Sequence, residues 1–252
     1  QIITIAKPRM PVSEAFRSIR TNLQFSGIDA PLRSMLVTSA SPSDGKTSIA
    51  ANLATVFAQS EKDVVIIDAD LRRPRLHKVF KLSNRIGLSD YFIRTPDRMT
   101  GAIKQTPVNG LNIVTSGSLP PNPSELLSSN KMKEVLDLLS SHYDMLIVDS
   151  PPLLAVTDAL VLARFVDGVI LVIDPRRSKR GAIRQAIEQL QRTEVRLLGV
   201  VLNNIKVKRS SYYYARDYYY SKQYGKGSRD SVSSIQLDEP ESEEEMSAAK
   251  GA

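Results

Sequence analysis

Residues 34–53 read SMLVTSASPSDGKTSIAANL, and this stretch decides the fold. An apolar, β-branched run gives way to a loop of small residues, and Gly45-Lys46-Thr47 then opens a segment with helical spacing. Strand, loop and helix start in that order make a phosphate loop. The first turn of a helix leaves backbone N–H groups unpaired and carries partial positive charge. Ser43, Asp44, Gly45, Lys46, Thr47 and Ser48 are therefore the candidate phosphate-binding residues. Lys46 is placed to reach the β- and γ-phosphates, and the Thr47 hydroxyl to hold Mg2+. The loop departs from G-x-x-x-x-G-K-[ST] in one place, Ala40 standing where the first Gly belongs.

C-terminal to the loop, residues 47–59 read as an amphipathic helix, and DVVIIDADLRRPRL follows at 63–76. Its continuous apolar run, 64–67, marks a strand buried on both faces of a parallel sheet. The strand delivers Asp68 and Asp70 to its carboxyl end, where open α/β sheets bind ligands, and two acids beside a phosphate loop suit Mg2+ chemistry. Spaced by two, their side chains share one side of an extended backbone. Arg72, Arg73 and Arg75 follow at once; pairing with the aspartates, contact with a phosphate and exposure to water are all open to them. On the other side of the loop, Ser13 is expected to cap a helix over 14–23 with Phe16, Ile19 and Leu23 on one face. Glu14, Arg17 and Arg20 form a neighbouring stripe, either a solvated face with one internal ion pair or a self-association surface.

Farther along, 84–92 contains the turn-prone Arg85-Ile86-Gly87 and a short apolar helix, and 111–115 reads as a strand. Gly117 with Pro120, Pro121 and Pro123 makes a rigid loop. Asn122-Pro123-Ser124-Glu125 has the form of a helix start, and that helix should run to about residue 140. In YDMLIVDSPP (143–152) a second buried strand ends at Asp149, an acid placed to reach Mg2+ directly or through water. Asp158 starts a further helix, 168–174 is a strand, 178–192 a basic amphipathic helix, and 197–202 the last strand, ending at Asn203-Asn204. Strands alternating with helices predict an α/β fold, a doubly wound and mostly parallel sheet with helices on both faces.

Composition narrows the classes. The 252 residues, 42% hydrophobic, suffice for one large domain or a domain plus a tail. Absence of cysteine excludes a disulfide framework and a thiolate metal site, and with only His77 and His142 a histidine metal cluster is excluded too. No apolar run approaches the ~18 residues that span a bilayer, and no signal peptide is expected. A net charge of +7 permits contact with nucleic acid or an anionic membrane face, and is equally what a solvated basic surface gives.

SPSDGKT (41–47), VVIIDADLRRP (64–74) and MLIVDSPP (145–152) together are more specific than any one of them. With GLSDYF, SGSLPPNPSELL and VTDALVLARFVDGVILV as connecting segments, residues 13–204 resemble the cytoplasmic kinase domain of bacterial protein-tyrosine kinases, which act in capsule and exopolysaccharide synthesis. The resemblance implies a P-loop NTPase-like domain over 1–205, with an oligomerisation helix at about 13–24, acting as a non-specific protein-tyrosine kinase on ATP and Mg2+. Lys46, Asp68, Asp70 and Asp149 would be its catalytic residues. Thr47 and the three aspartates would hold the metal and its waters, and Asp68 or Asp70 would accept the tyrosine proton. Asp70 is favoured for that role because Asp68 leaves the strand first. Asn203 would contact the base. Glu14, Arg17 and Arg20 match the family's E-x-x-R-x-x-R motif, which mediates assembly into an octamer-like ring, and this turns the reading of that stripe toward self-association. The implied partners are further copies of the chain, a transmembrane activator (a polysaccharide co-polymerase protein or a fused region), a cognate tyrosine phosphatase and other protein substrates, at the cytoplasmic face of the plasma membrane. Nucleic acid is not expected. Members commonly carry Gly three residues before the Lys, where this chain has Ser43.

From residue 206 the composition changes, and 206–252 is expected to be a flexible, disordered tail with an acidic end. SYYYARDYYYSKQYGKGSR, at 211–229, carries seven of the nine tyrosines. Basic residues among aromatics suit stacking on single-stranded nucleic acid, and clustered tyrosines also suit an aggregation-prone or merely disordered segment. The resemblance implies a third reading, in which Tyr212, Tyr213, Tyr214, Tyr218, Tyr219, Tyr220 and Tyr224 are autophosphorylated by a neighbouring copy. Each phosphate adds roughly 1.5 to 2 negative charges, enough in number to overturn the local positive charge and loosen the ring. The rival is an ATP-driven dimerisation switch of the chromosome-partitioning and division-site kind, which shares this sheet. Those ATPases usually place a Lys five residues before the loop Lys, where Ser41 stands here, and the tyrosine-rich tail also argues against that reading.

Overall fold

The computed structural model describes residues 2–25, 31–93, 101–193 and 195–205, all within the first of the chain's two units, Gln1–Ile205. The tyrosine cluster and the acidic end lie outside the described residues. In chain order the elements are α1 (Ile3–Ala6), α2 (Pro11–Phe25), β1 (Ser34–Ser39), α3 (Lys46–Ala58), β2 (Val64–Asp68), α4 (Leu76–Phe80), α5 (Leu88–Ile93), β3 (Ile103–Gln105), β4 (Leu111–Val114), α6 (Pro123–Ser128), α7 (Asn130–His142), β5 (Met145–Asp149), α8 (Asp158–Ala163), β6 (Val169–Ile173), α9 (Arg180–Arg192) and β7 (Leu197–Leu202).

The strands form one seven-stranded sheet in the order β3-β4-β2-β5-β1-β6-β7. Every pairing is parallel except that of β3 with β4. β1, β2, β5 and β6 are buried throughout, as continuous apolar runs in a parallel sheet require. Alternate residues feed two cores. Leu36, Val65, Ile67, Leu146, Val148 and Leu171 face the layer of α7, α8 and α9. Met35, Val37, Val64, Ile66, Ile147 and Val172 face α3, which α1 and α2 cover in turn.

The α3 helix differs from its amphipathic expectation. Ile49 and every residue from Ala50 to Ala58 are buried, so it is covered all round, lying between the sheet on one side and α2 on the other. The expected helix from 123 to 140 is two helices. Ser129 stands between them in extended conformation, its hydroxyl accepting from Met132 N and so capping α7 rather than continuing α6. Asn122 makes no cap bond and instead donates to Glu125. Ser13 is not a cap either. α2 starts at Pro11, a favoured first helical residue, and the buried Ser13 hydroxyl donates to Lys7 O at 2.7 Å.

Phe57 is completely buried in the α3 core. Phe57→Ala is expected to lower stability by about 3 to 5 kcal/mol, read as the urea midpoint, because the cavity lies between two layers that cannot both close on it.

Candidate active site

The sheet register gathers the site. Asp68, the last residue of β2, lies opposite Asp149, the last of β5, and Asp149 in turn lies opposite Val37 of β1. β1 runs on to Ser39 and enters the phosphate loop at Ala40, whose side chain is fully buried in the core. Ala in place of the first Gly thus serves packing where the chain leaves the strand. Within the loop Ser43 (φ 70°) and Gly45 (φ 94°) both adopt left-handed conformations. A Cβ on Gly45 would stand 2.1 Å from the Asn203 amide, so close approach as well as φ demands glycine there. Ser43 occupies, at some strain, the left-handed position that Gly fills without penalty.

Lys46, the first residue of α3, turns its ammonium to the acids. Nζ donates to Asp70 Oδ2 at 2.9 Å and lies 3.6 Å from Asp149 Oδ1 and 3.3 Å from Thr47 Oγ1. Burial works to lower its pKa, but the negative charges of Asp149 and Asp70 outweigh it and hold the ammonium above its ordinary range. Asp68 does not touch Lys46. Its Oδ2 accepts from Arg75 N and Leu76 N, at 3.0 and 2.9 Å, where α4 begins. Burial, with the charge of Asp149 added, pushes Asp68 up to about 8. Burial likewise raises Asp149, with Lys46 opposing. Asp70 Oδ1 accepts from Arg73 N, so the acidic loop is held by its own backbone.

In this site Asp68 Oδ1 and both oxygens of Asp149 are buried without a close hydrogen bond, Lys46 and Thr47 being the groups beside Asp149. Orphaned carboxylate oxygens in a dry site fit a hard cation. Among the described residues no cluster of three or more acidic or histidine side chains forms a ready-made cage. Mg2+ is a hard cation that keeps several waters and takes phosphate oxygens alongside one or two carboxylates.

Other sequence-derived candidates fall in place around this centre. Asp44 is buried, its Oδ2 accepting from Ser41 N and its Oδ1 from the Ser178 hydroxyl, so its carboxylate is turned into the protein. Asn203 Nδ2 donates to the Asp44 carbonyl at 2.9 Å, and its Oδ1 accepts from Asn204 N. Ser48 is exposed on the first turn of α3. Arg72 forks onto the buried Asp158 through Nε and Nη2, at 2.9 and 3.2 Å, with Ser124 joining both; Arg73 and Arg75 contribute backbone N–H groups. Of the N-terminal stripe, Arg17 pairs with Glu14 at 2.6 Å. Arg20 reaches the carbonyl of Val56, near the C-terminus of α3, at 2.8 Å and leaves a buried Nε without a partner. Ser178, Asp174 and Asn204 escaped the sequence reading, because a serine before a basic helix carries no signature of what it touches 134 residues away.

A phosphate loop between a buried strand and helix, faced by acids ending two adjoining strands, is the nucleotide site of a P-loop NTPase. A family model described as ParA: NUBPL iron-transfer P-loop NTPase matches residues 32–239. The tyrosine-protein kinase YwqD of Bacillus subtilis (strain 168) is 42% identical over 212 residues, which cover 84% of this chain and 89% of that protein. Among solved structures, the chimerical protein CapA2B2 superposes with TM-score 0.79 at 36% identity, covering 82% of this chain and 90% of that one. The kinase domain of Escherichia coli tyrosine kinase ETK superposes with TM-score 0.76 at 34% identity, covering 82% and 83%. The chain belongs to this P-loop NTPase family and, within it, to the bacterial tyrosine-protein kinases.

Two outcomes follow from the geometry. Between pH about 4 and about 8 the unfolded chain ionises Asp68 while the native site keeps it protonated. The contribution of Asp68 to stability is thus full below pH 4 and is lost as pH rises, the loss ending just above 8. Asp68→Asn should therefore gain on the unmodified protein steadily from pH 4 to 8 in thermal melts and level off beyond; a pH-independent difference would refute the assignment. Ser43→Gly, relieving a left-handed serine, is expected to change stability by no more than about 1 kcal/mol, favourably, since the freer unfolded chain offsets part of the relief.

Proposed function

We propose that this domain transfers the γ-phosphoryl group of ATP to tyrosines of the 212–224 cluster on neighbouring copies, as the tyrosine autokinase of a capsule or exopolysaccharide system. The observation that carries the reading is Lys46, at the end of the phosphate loop and 2.9 Å from Asp70, beside the orphaned oxygens of Asp68 and Asp149. Thr47, Asp68 and Asp149 would hold Mg2+ and its waters, which would supply charge neutralisation for the transferring phosphoryl group. Lys46 moves its charge from Asp70 to the phosphates, and Asp70 is then free to take the proton of the incoming phenol. A free phenol has a pKa near ~10, so such a base must assist. The protein's work is positioning and electrostatics in a buried site, with little covalent chemistry.

The same reading assigns Glu14, Arg17 and Arg20 to contacts between copies in a ring, with the exposed Glu14 and the part-exposed Arg17 as the groups available to a neighbour. No helix among the described residues is long and apolar enough to cross a membrane. The reading assigns placement at the inner face of the plasma membrane to an activator, either a separate transmembrane protein or a fused region, and reversal to a cognate tyrosine phosphatase.

Incubation with Mg-ATP, with and without the cytoplasmic segment of a candidate activator, followed by phosphotyrosine mapping by mass spectrometry, tests the reading. Phosphate on the 212–224 cluster is expected in the unmodified chain and a loss of at least about a hundredfold in Lys46→Met. ATP hydrolysis with no phosphotyrosine under either condition would favour the dimerisation switch instead.

A further inference from the structure

We propose that Asp44, Ser178 and Asn203 form a latch that holds the phosphate loop in its nucleotide-binding shape, with Asp44 as a positioning residue, so that nucleotide affinity is set from the turn between β6 and α9. The inference rests on the reading that this loop binds ATP.

Ser43 and Gly45, on either side of Asp44, are both left-handed, and a serine in that conformation persists only where its surroundings over-determine it. Asp44 supplies that constraint. It is 1% exposed, and each of its acceptor atoms is taken by a different segment: Oδ2 by Ser41 N (3.1 Å), Oδ1 by the Ser178 hydroxyl (2.8 Å), and the main-chain oxygen by Asn203 Nδ2 (2.9 Å). None of the ion pairs among the described residues involves Asp44, so its carboxylate acts through hydrogen-bond geometry.

The partners are themselves anchored. Ser178 N and Arg177 N donate to the carbonyl of Asp174 at the end of β6, at 2.8 and 3.0 Å. The Asp174 carboxylate accepts from Arg176 N and from Asn204 Nδ2, and these bonds, the Asn204 amide first, hold it below the usual carboxylate range. Asn203 N donates to Ile173 O at 2.8 Å. An unbroken run of hydrogen bonds thus links the loop to the ends of β6 and β7. Ser178 is half-buried between exposed Arg176, Arg177, Lys179 and Arg180, so the far end of the latch meets solvent.

Titration with a fluorescent N-methylanthraniloyl-ADP in Mg2+ reads the latch without requiring kinase activity. A hydrogen bond to a charged acceptor is lost in Ser178→Ala, which should weaken Kd roughly tenfold. Ser178→Thr, keeping the hydroxyl, should restore binding to within about twofold. Ser178→Asp sets a second carboxylate against Asp44 and should weaken binding further than Ala. In phosphorylation assays Ser178→Ala should raise the KM for ATP with kcat within about threefold. Thermal melts accompany each titration, and Ser178→Cys, of similar size but a weak donor, replaces any variant that melts early.

Ser178→Ala binding as tightly as the unmodified chain overturns the latch, as does failure of Thr to restore it or a loss in kcat with KM unchanged. Nucleotide binding by the unmodified chain separates the two readings. If it is absent, the ATP reading falls and the latch with it; if it is present and insensitive to Ser178, the latch alone falls.

Discussion

One ammonium among buried carboxylates organises this molecule. Lys46 lies 2.9 Å from Asp70 and 3.6 Å from Asp149, with Asp68 close enough to feel its charge, and the three acids are almost wholly removed from water. One positive charge cannot satisfy three carboxylates, so protonation takes up part of the excess, and Asp68 Oδ1 and the Asp149 oxygens are left without a close hydrogen bond. Such a cluster is costly unless something cationic arrives to complete it. The fold tolerates it because the strands that end in Asp68 and Asp149 are locked side by side in a sheet packed on both faces.

That dependence explains why the centre of the protein was legible in the sequence. Continuous apolar runs at 64–67 and 145–148 identify strands buried on both faces, and an acid at the end of each can only emerge at the carboxyl edge, where the phosphate loop also emerges. Lys46, Thr47, Asp68, Asp70 and Asp149 are brought together as their spacing implies. The misreadings lie where tertiary contacts override local pattern. Ser13 has the look of a cap but is buried under α1, donating to Lys7 O. Ser129 interrupts a helix whose apolar periodicity runs through it, because its hydroxyl caps the second half. The three residues of β3 are too few to display an alternation at all.

The arginines after the second acidic motif illustrate the same limit. Composition places Arg72, Arg73 and Arg75 beside two aspartates and offers no way to choose among partners. Arg72 in fact bridges to Asp158, 86 positions away and completely buried, tying the acidic loop to the starts of α6 and α8. Asp44 was legible as part of a phosphate loop and illegible as an inward-facing side chain, since its partner Ser178 belongs to a turn with no motif of its own.

The bond from Arg20 to the carbonyl of Val56 gives α3 a second role. This 13-residue helix is about 20 Å long, with the phosphate loop at its N-terminus and a guanidinium against its C-terminal turn. The C-terminal end of its dipole is thereby met by a positive charge, and the residue that supplies it belongs to the E-x-x-R-x-x-R sequence. A carboxylate from another molecule that engaged this guanidinium would compete with the Val56 carbonyl for it. The rod that cradles phosphate at one end would thus report at the other on what lies outside the domain.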